Sequence, residues 1–279
     1  MDQTATQMVS IVQRALDEDI GDGDVTTLCT VSPDAVAVGS FYAKQAGVVA
    51  GLEVARLAFS LVDERVRFFP RVVDGDRVER GDVIATVTGP ARALLSAERV
   101  ALNFLQRMSG IATMTRQFVD AVGGTSAVIL DTRKTVPGLR LLDKWAVRLG
   151  GGQNHRAGLY DMVLIKENHI AAVGSISEAV ARVRAGDERA RAIEVEVTNL
   201  NELEEALSLA VDRIMLDNMS PTEMREAVHL AASRVPLEAS GNVSLDNVAH
   251  VAATGVDYIS IGMLTHSVKA LDISLLFHK

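Results

Sequence analysis

The sequence is short of the features that mark extracellular, membrane-spanning or nucleic-acid-binding proteins. It has one cysteine, Cys29, which excludes an intramolecular disulfide and any cysteine-based metal cluster. It lacks an excess of positive charge: 28 Lys and Arg stand against 36 Asp and Glu, a formal net charge of −8. That balance argues against nucleic acid as the main partner, because counterion release needs a basic face. No apolar run approaches the length needed to cross a bilayer. The start, Met1-Asp-Gln-Thr-Ala, lacks the basic residues and apolar stretch of a signal peptide, so a soluble, cytoplasmic protein is expected. Nothing in the composition suggests disorder or a fibre. With 279 residues, 48% of them hydrophobic, the chain can bury a large core, as one big α/β domain or one with a smaller partner.

What the sequence does have is a basic island. Residues 131–169 hold seven Lys/Arg against four acids, +3 inside a chain of −8, so the remainder carries −11. Such a patch is costly in self-repulsion unless something anionic sits in it. Taken singly, each cation is better explained by pairing with a neighbouring acid. Yet Arg133, Lys134, Arg156 and Lys166 fall at the ends of apolar runs or beside glycines rather than along a helix face. The island therefore reads as an anion site for a small molecule.

Helical spacing of Met8, Ile11, Val12, Ala15 and Leu16 predicts an amphipathic helix over 8–20. The acidic turn that follows lacks the spacing and closing Glu of a calcium loop. From Val36 to Gly89 the period drops to two, predicting strands, and 74–85 has the look of a carrier-domain hairpin without a lysine at its tip. Ser96 suits an N-cap for a long helix through Val122, with Ser109-Gly110 expected to mark a break or a domain junction. Beyond it, apolar runs at 127–131, 162–166, 192–197, 213–217, 235–240 and 257–262 alternate with helices near 137–149, 175–185, 200–210, 221–234 and 244–254. Ser175, Asn199, Ser220 and Ser244 stand at cap positions before helices, and Gly186 and Gly255 after them. Strand–helix alternation implies a parallel sheet, and strands apolar throughout imply burial on both faces. Six units fall short of eight, so an open, incomplete (β/α) barrel is predicted.

Active sites of such barrels form at the carboxyl ends of the strands. Those ends read Asp131-Thr-Arg-Lys134, Lys166, Glu196, Asp217-Asn218, Ser240-Gly-Asn242 and Gly262. Any one acid there is as readily a helix cap as a ligand. Together, Glu196 and Asp217 suit a hard divalent cation, Mg²⁺ above all. Glu194 lies two residues before Glu196 and points the same way, as a second candidate or a partner for a lysine. Ser240-Gly241-Asn242 and Ile261-Gly262-Met263 precede helical or turn segments whose N–H groups suit phosphate, with ordinary turn chemistry an even alternative. Metal, phosphate nests and lysines suggest a phosphorylated substrate. The arginines suggest a carboxylated one, because the guanidinium fork matches a carboxylate.

These residues resemble the quinolinate phosphoribosyltransferase family. The resemblance runs through Ala97–Asn103, Ser109–Thr113, Asp131-Thr-Arg-Lys-Thr-Val-Pro-Gly-Leu-Arg140, Gly150-Gly-Gly-Gln-Asn-His-Arg156, Leu164-Ile-Lys-Glu-Asn-His169, Leu216-Asp-Asn218, Glu238-Ala-Ser-Gly241 and Thr254 to His266, nearly the whole chain in order. It implies an N-terminal α/β sandwich domain over 1–108, completed by a tail over 267–279, and an open (β/α) barrel over 109–266. It also implies a homodimer with active sites at the subunit interface. Arg133, Arg156 and Arg99 of the other subunit would bind the two quinolinate carboxylates, with Thr132, His155 and Lys134 nearby. Lys134 and Lys166 would face phosphoribosyl pyrophosphate. Glu196 and Asp217 would hold Mg²⁺ and the ribose hydroxyls, and the loops Ser240-Gly241-Asn242 and Ile261-Gly262-Met263 would take the 5′-phosphate. Two departures stand out: Glu167 where many relatives have Asp, and Trp145 where Tyr is expected. The implied reaction is phosphoribosyl transfer with loss of CO₂, giving nicotinate mononucleotide. Rival readings are a molybdenum-transport-associated paralogue of the same fold, a Schiff-base aldolase using Lys166 and a non-catalytic phosphate-binding protein.

Overall fold

The structure, a computed structural model, describes residues 3–278. The chain opens with α1 (Gln3–Ile20), α2 (Val25–Thr30), β1 (Val36–Ala43), β2 (Gly47–Val48), α3 (Leu52–Val62), β3 (Arg67–Pro70), β4 (Arg77–Val78), β5 (Val83–Pro90) and the long α4 (Ala91–Ala121). It continues through β6 (Val128–Leu130), α5 (Arg140–Leu149), β7 (Val163–Ile165), α6 (Glu167–Val173), α7 (Ile176–Gly186), β8 (Ile193–Val197) and α8 (Leu200–Ser208). Then come β9 (Arg213–Asp217), α9 (Pro221–Ala231), β10 (Leu237–Ser240), α10 (Val248–Ala252), β11 (Tyr258–Ser260), α11 (Met263–His266) and β12 (Ile273–Phe277). Two compact units result: the residues up to Arg116 with Thr135–Gly151 and those from Leu264 onward, and Gln117–Lys134 with Gly152–Met263. Among the described residues no helix is long and apolar enough to cross a membrane.

The first unit is built on an antiparallel sheet of order β12-β1-β5-β3. Period-two strands are present where the sequence predicts them. On β1, however, the buried face is Phe41 and Ala43, while Val36 and Val38 of the other face stay exposed. Strand β12 pairs with β1 from Gly39↔Phe277 to Ala43↔Ile273, so the tail completes this sheet as expected. Phe41, Phe59 and Phe68 meet with ring centroids 5.7–6.2 Å apart and anchor α3 on the sheet.

Helix α4 runs unbroken through Ser109-Gly110, against the expectation of a break. A Cβ on Gly110 would lie 2.3 Å from the Lys269 carbonyl oxygen, and the Ser109 hydroxyl accepts the Ala50 N–H at 3.0 Å. Small residues sit there because neighbouring backbone comes close, and the helix needs no hinge to accommodate it. Ser96 likewise lies inside the helix, its hydroxyl donating to Asp24 Oδ2 at 3.0 Å instead of capping. Farther along, Arg107 donates twice to the fully buried Asp143 of α5, at 2.9 and 2.8 Å. Asp143 also accepts the Val136 N–H at 3.2 Å, so one carboxylate ties α4, α5 and the loop before α5 together.

The second unit is a six-stranded, all-parallel sheet of order β6-β11-β10-β9-β8-β7. Strands β6 and β7 form its two edges, so the barrel is open, and Gln153 bridges in parallel to Leu130 at the β6 edge. Ser175, Asn199 and Ser220 cap α7, α8 and α9, and the Ser220 N–H donates in return to the Glu223 carboxylate. Ser244 does not cap: α10 starts at Val248 behind Asn247, whose Oδ1 accepts the Ser244 N–H at 2.8 Å. The short α6 after Lys166 has no counterpart among the helices that the sequence pattern predicts.

Replacing Gly110 by Ala should cost about 1–3 kcal/mol, because the obstructing atom is backbone and cannot swing aside. Urea unfolding will measure it; an unchanged midpoint would contradict the close approach of α4 to residue 269.

Candidate active site

Residues two apart on a strand share a face. β8 thus presents Glu194 and Glu196 together, β9 Arg213 and Asp217, and β10 Glu238 and Ser240. The register sets Glu194 beside Arg213 and Asp217 beside Ser240. The polar residues therefore form two tiers, one within the strands and one at their carboxyl ends.

At the carboxyl ends the Lys166 amine pairs with the Glu196 carboxylate, and the Lys166 N–H donates to His169 Nδ1 at 2.9 Å. Burial first, and then the charge of Glu196, push the Asp217 carboxyl above its ordinary pKa. The Asn218 amide, Lys166 and Lys134 act in the opposite direction. Two half-buried carboxylates that repel each other, flanked by two lysines, fit a divalent cation. Asn218 adopts φ 55° and ties this tier to the next loop: its Nδ2 donates to Asp217 Oδ2 at 2.7 Å and its Oδ1 accepts from Asn242 Nδ2 at 3.1 Å. A Cβ on Gly241 would fall 2.1 Å from that same Oδ1. With φ of 94° and 52°, Gly241 and Asn242 both take the left-handed backbone, so the chain turns sharply after β10. In the second loop the Ile261 N–H donates to the Leu130 carbonyl at 2.9 Å.

Asp131, fully buried, serves the frame: its carboxylate accepts the His155 N–H at 2.9 Å and the Asn154 amide at 2.6 Å. This holds 153–156 against the end of β6. Thr132 Oγ1 accepts the Lys134 N–H at 3.0 Å and shapes the turn that carries Arg133. Arg156 donates to the Met162 carbonyl at 3.1 Å. Its guanidinium is destabilised by burial and then by the charge of Arg133, while Glu194 and Asp161 support it. Two guanidiniums within reach of each other's charge suit a dianion.

His155 turns inward. Its Nε2 lies 3.0 Å from Glu194 Oε2 and 3.4 Å from Glu238 Oε2, and all three side chains are almost completely buried. Arg213 reaches the same Glu238 oxygen at 3.0 Å and lies 4.1 Å over the Tyr258 ring. Burial disfavours a charged imidazole, but contacts with the two carboxylates outweigh it and raise the pKa to about 9. The Arg156 N–H points at Nδ1, 2.7 Å away, and so places the ring proton on Nε2. The raised affinity thus belongs to the cluster, an extra proton shared with Glu194, whose carboxyl burial pushes upward.

The second unit accordingly holds Thr132, Arg133, Lys134, His155, Arg156, Lys166, Glu196, Asp217, Ser240, Gly241, Asn242, Ile261, Gly262 and Met263, while Arg99 is an exposed residue of α4 in the first. The sequence pattern gives Arg213 no role and leaves Asn218 and Glu238 inside quoted motifs without one. The signal available was a charge inside an otherwise apolar strand, as in Arg213-Ile-Met-Leu and Leu237-Glu-Ala.

A proton held more tightly in the folded state than by a free imidazole stabilises the fold fully below pH of about 6.5 and is lost as pH rises through about 9. The melting temperature should therefore fall across that window, and Glu194→Gln should flatten the fall. Identical slopes for both proteins would contradict the shared proton.

Family models, curated proteins and solved structures resemble this chain over nearly its whole length. Residues 24–109 match the family model for the quinolinate phosphoribosyl transferase N-terminal domain and 111–276 that for its C-terminal domain, the two meeting at Gly110 inside α4. A probable carboxylating nicotinate-nucleotide pyrophosphorylase of Bacillus subtilis is 46% identical over 96% of this chain and 93% of its own. The carboxylating nicotinate-nucleotide pyrophosphorylase of Mycobacterium leprae is 48% identical over 95% of each. The crystal structure of NadC from Streptococcus pyogenes superposes with a TM-score of 0.95 at 44% identity over the whole of both chains. That of the nicotinate-nucleotide pyrophosphorylase from Francisella tularensis gives 0.92 at 38% identity, covering 98% of this chain and 96% of that one. The chain belongs to the quinolinate phosphoribosyltransferase family.

Proposed function

We propose that this protein transfers the phosphoribosyl group of phosphoribosyl pyrophosphate to quinolinate with decarboxylation, releasing nicotinate mononucleotide, CO₂ and pyrophosphate, as a step of NAD biosynthesis. The observation that carries this reading is the half-buried guanidinium of Arg156 beside Arg133, in the same unit as two carboxylates flanked by two lysines. A diacid and a sugar polyphosphate are the ligands such a set balances.

Arg133 and Arg156, with Arg99 of the partner subunit in a cytoplasmic homodimer, hold the two quinolinate carboxylates and aim the ring nitrogen at the anomeric carbon. Thr132 and His155 set the two segments that carry these arginines. The loops 240–242 and 261–263 bind the 5′-phosphate. Glu196 and Asp217 would hold Mg²⁺ and the ribose hydroxyls; bound there, the ion supplies positive charge for the polyphosphate. The ring nitrogen bonds to the anomeric carbon as its bond to pyrophosphate breaks, the electron pair leaving on the pyrophosphate oxygen. Lys134 and Lys166 stabilise that departing charge. The C2–carboxylate bond then breaks, CO₂ departs, and the pair left on C2, stabilised by the adjacent pyridinium nitrogen, captures a proton from solvent. Holding both anions in one site supplies much of the rate. An aldolase would need the Lys166 amine desolvated in an apolar pocket, and it pairs with Glu196 instead.

Purified protein given Mg²⁺, quinolinate and phosphoribosyl pyrophosphate should form nicotinate mononucleotide and CO₂, and nicotinate should fail as a replacement because it lacks the second carboxylate. Absence of product would overturn the reading. Arg133→Ala should raise the KM for quinolinate about a hundredfold, the loss of a charge-assisted pair, and that for phosphoribosyl pyrophosphate by less than about threefold. Equal losses for both substrates would count against the assignment of Arg133.

A further inference from the structure

Below the strand ends lies a group of ionisable side chains with no part in the reaction as written: Glu194, Glu238 and Arg213, joined to His155. Both glutamates are fully buried, and Ser260 further supports the Glu238 carboxylate. Burying such a group is expensive, and apolar residues of similar volume commonly serve stability as well or better. A purely structural core therefore gives it no purpose. The three ligand atoms of His155, Glu194 and Glu238 all lie within 4.8 Å of one another, the spacing of a metal cage. Yet the Glu238 oxygen nearest His155 already takes the Arg213 guanidinium at 3.0 Å, so a cation occupies that place.

The cluster reaches the substrate site through His155. The His155 ring, clamped at Nε2 by the two carboxylates, offers Nδ1 to the Arg156 N–H at 2.7 Å. Beyond that bond lies the Arg156 side chain, which Arg133 repels and Glu194 attracts. In the free enzyme Glu194 supports the charge on Arg156 that Arg133 opposes. We propose that Glu194 and Glu238 are positioning residues of the dicarboxylate subsite, acting through His155 to hold Arg156 against Arg133 before the diacid arrives. This rests on the assignment of the arginine pair to quinolinate. It is preorganisation: ordering done in the fold is not repeated at each binding event.

The test compares variants in the product-forming assay, with thermal unfolding measured alongside. Glu194→Gln keeps the shape and removes the ionisable carboxyl. It should raise the KM for quinolinate about tenfold or more while leaving kcat and the KM for phosphoribosyl pyrophosphate within about threefold. An unchanged quinolinate KM, or an equal rise in both KM values, overturns the proposal. The Glu238→Gln/Arg213→Met double variant removes the guanidinium together with the carboxylate it balances. A merely structural role predicts wild-type KM values for it; the positioning role predicts that the quinolinate KM stays raised. If Glu194→Gln does not fold, the double variant decides alone. Arg156→Ala run in parallel separates the two levels. If Arg156→Ala leaves the quinolinate KM unaltered, the subsite assignment fails and takes the inference with it. If it raises that KM while the glutamate variants do not, only the inference fails.

Discussion

A half-buried arginine, Arg156, within reach of the charge of Arg133 is what the neighbouring segments of the second unit have to support. Burial and the neighbouring guanidinium both work against the charge of Arg156. Such a pair persists only where the backbone holds it and opposite charge lies close by. Asp131 meets the first need by fastening 153–156 to the end of β6. Glu194 and Asp161 meet the second. The carboxylate pair Glu196 and Asp217 repeats this logic with the signs exchanged, their repulsion offset by Lys134 and Lys166. Two like-charge pairs in one unit, one cationic and one anionic, suit two ligands of opposite local demand: an organic diacid, and a polyphosphate that arrives with its cation.

Parallel strands make the arrangement possible. Every strand of the barrel enters from the same side, so each βα connection delivers a residue to the same rim, and period-two alternation decides which residue that is. Asn218 shows how closely the connections are fitted to one another, binding Asp217 on one side and Asn242 on the other while leaving no room for a side chain at residue 241. The left-handed backbone at Asn218 lets one short amide do both, and Asn is among the few side chains that tolerate it.

Much of this was legible in the sequence, because the patterns concerned are local. The six apolar runs became six parallel strands, and three of the four caps before helices were correctly placed. Gathering of Lys134, Lys166, Glu196 and Asp217 follows from position at strand ends alone. What was not legible depends on contacts across the fold. Ser109-Gly110 looked like a break because small residues weaken a helix locally. The close backbone at Ala50 and Lys269 that requires them is visible only in three dimensions. The role of Glu194 stayed open for the same reason. Its partners His155, Glu238 and Arg213 come from three other segments, and the strand register brings them together. Helix α6 escaped because seven residues carry too little periodicity to read.

The central claim, that two opposed guanidiniums wait for a diacid, is tested most directly by thermal unfolding with pyridine carboxylates in the absence of phosphoribosyl pyrophosphate. Quinolinate should raise the melting temperature in a saturable way, whereas nicotinate, with one carboxylate, should leave it unchanged at the same concentrations. Equal shifts from the two acids, or none from quinolinate, would contradict it.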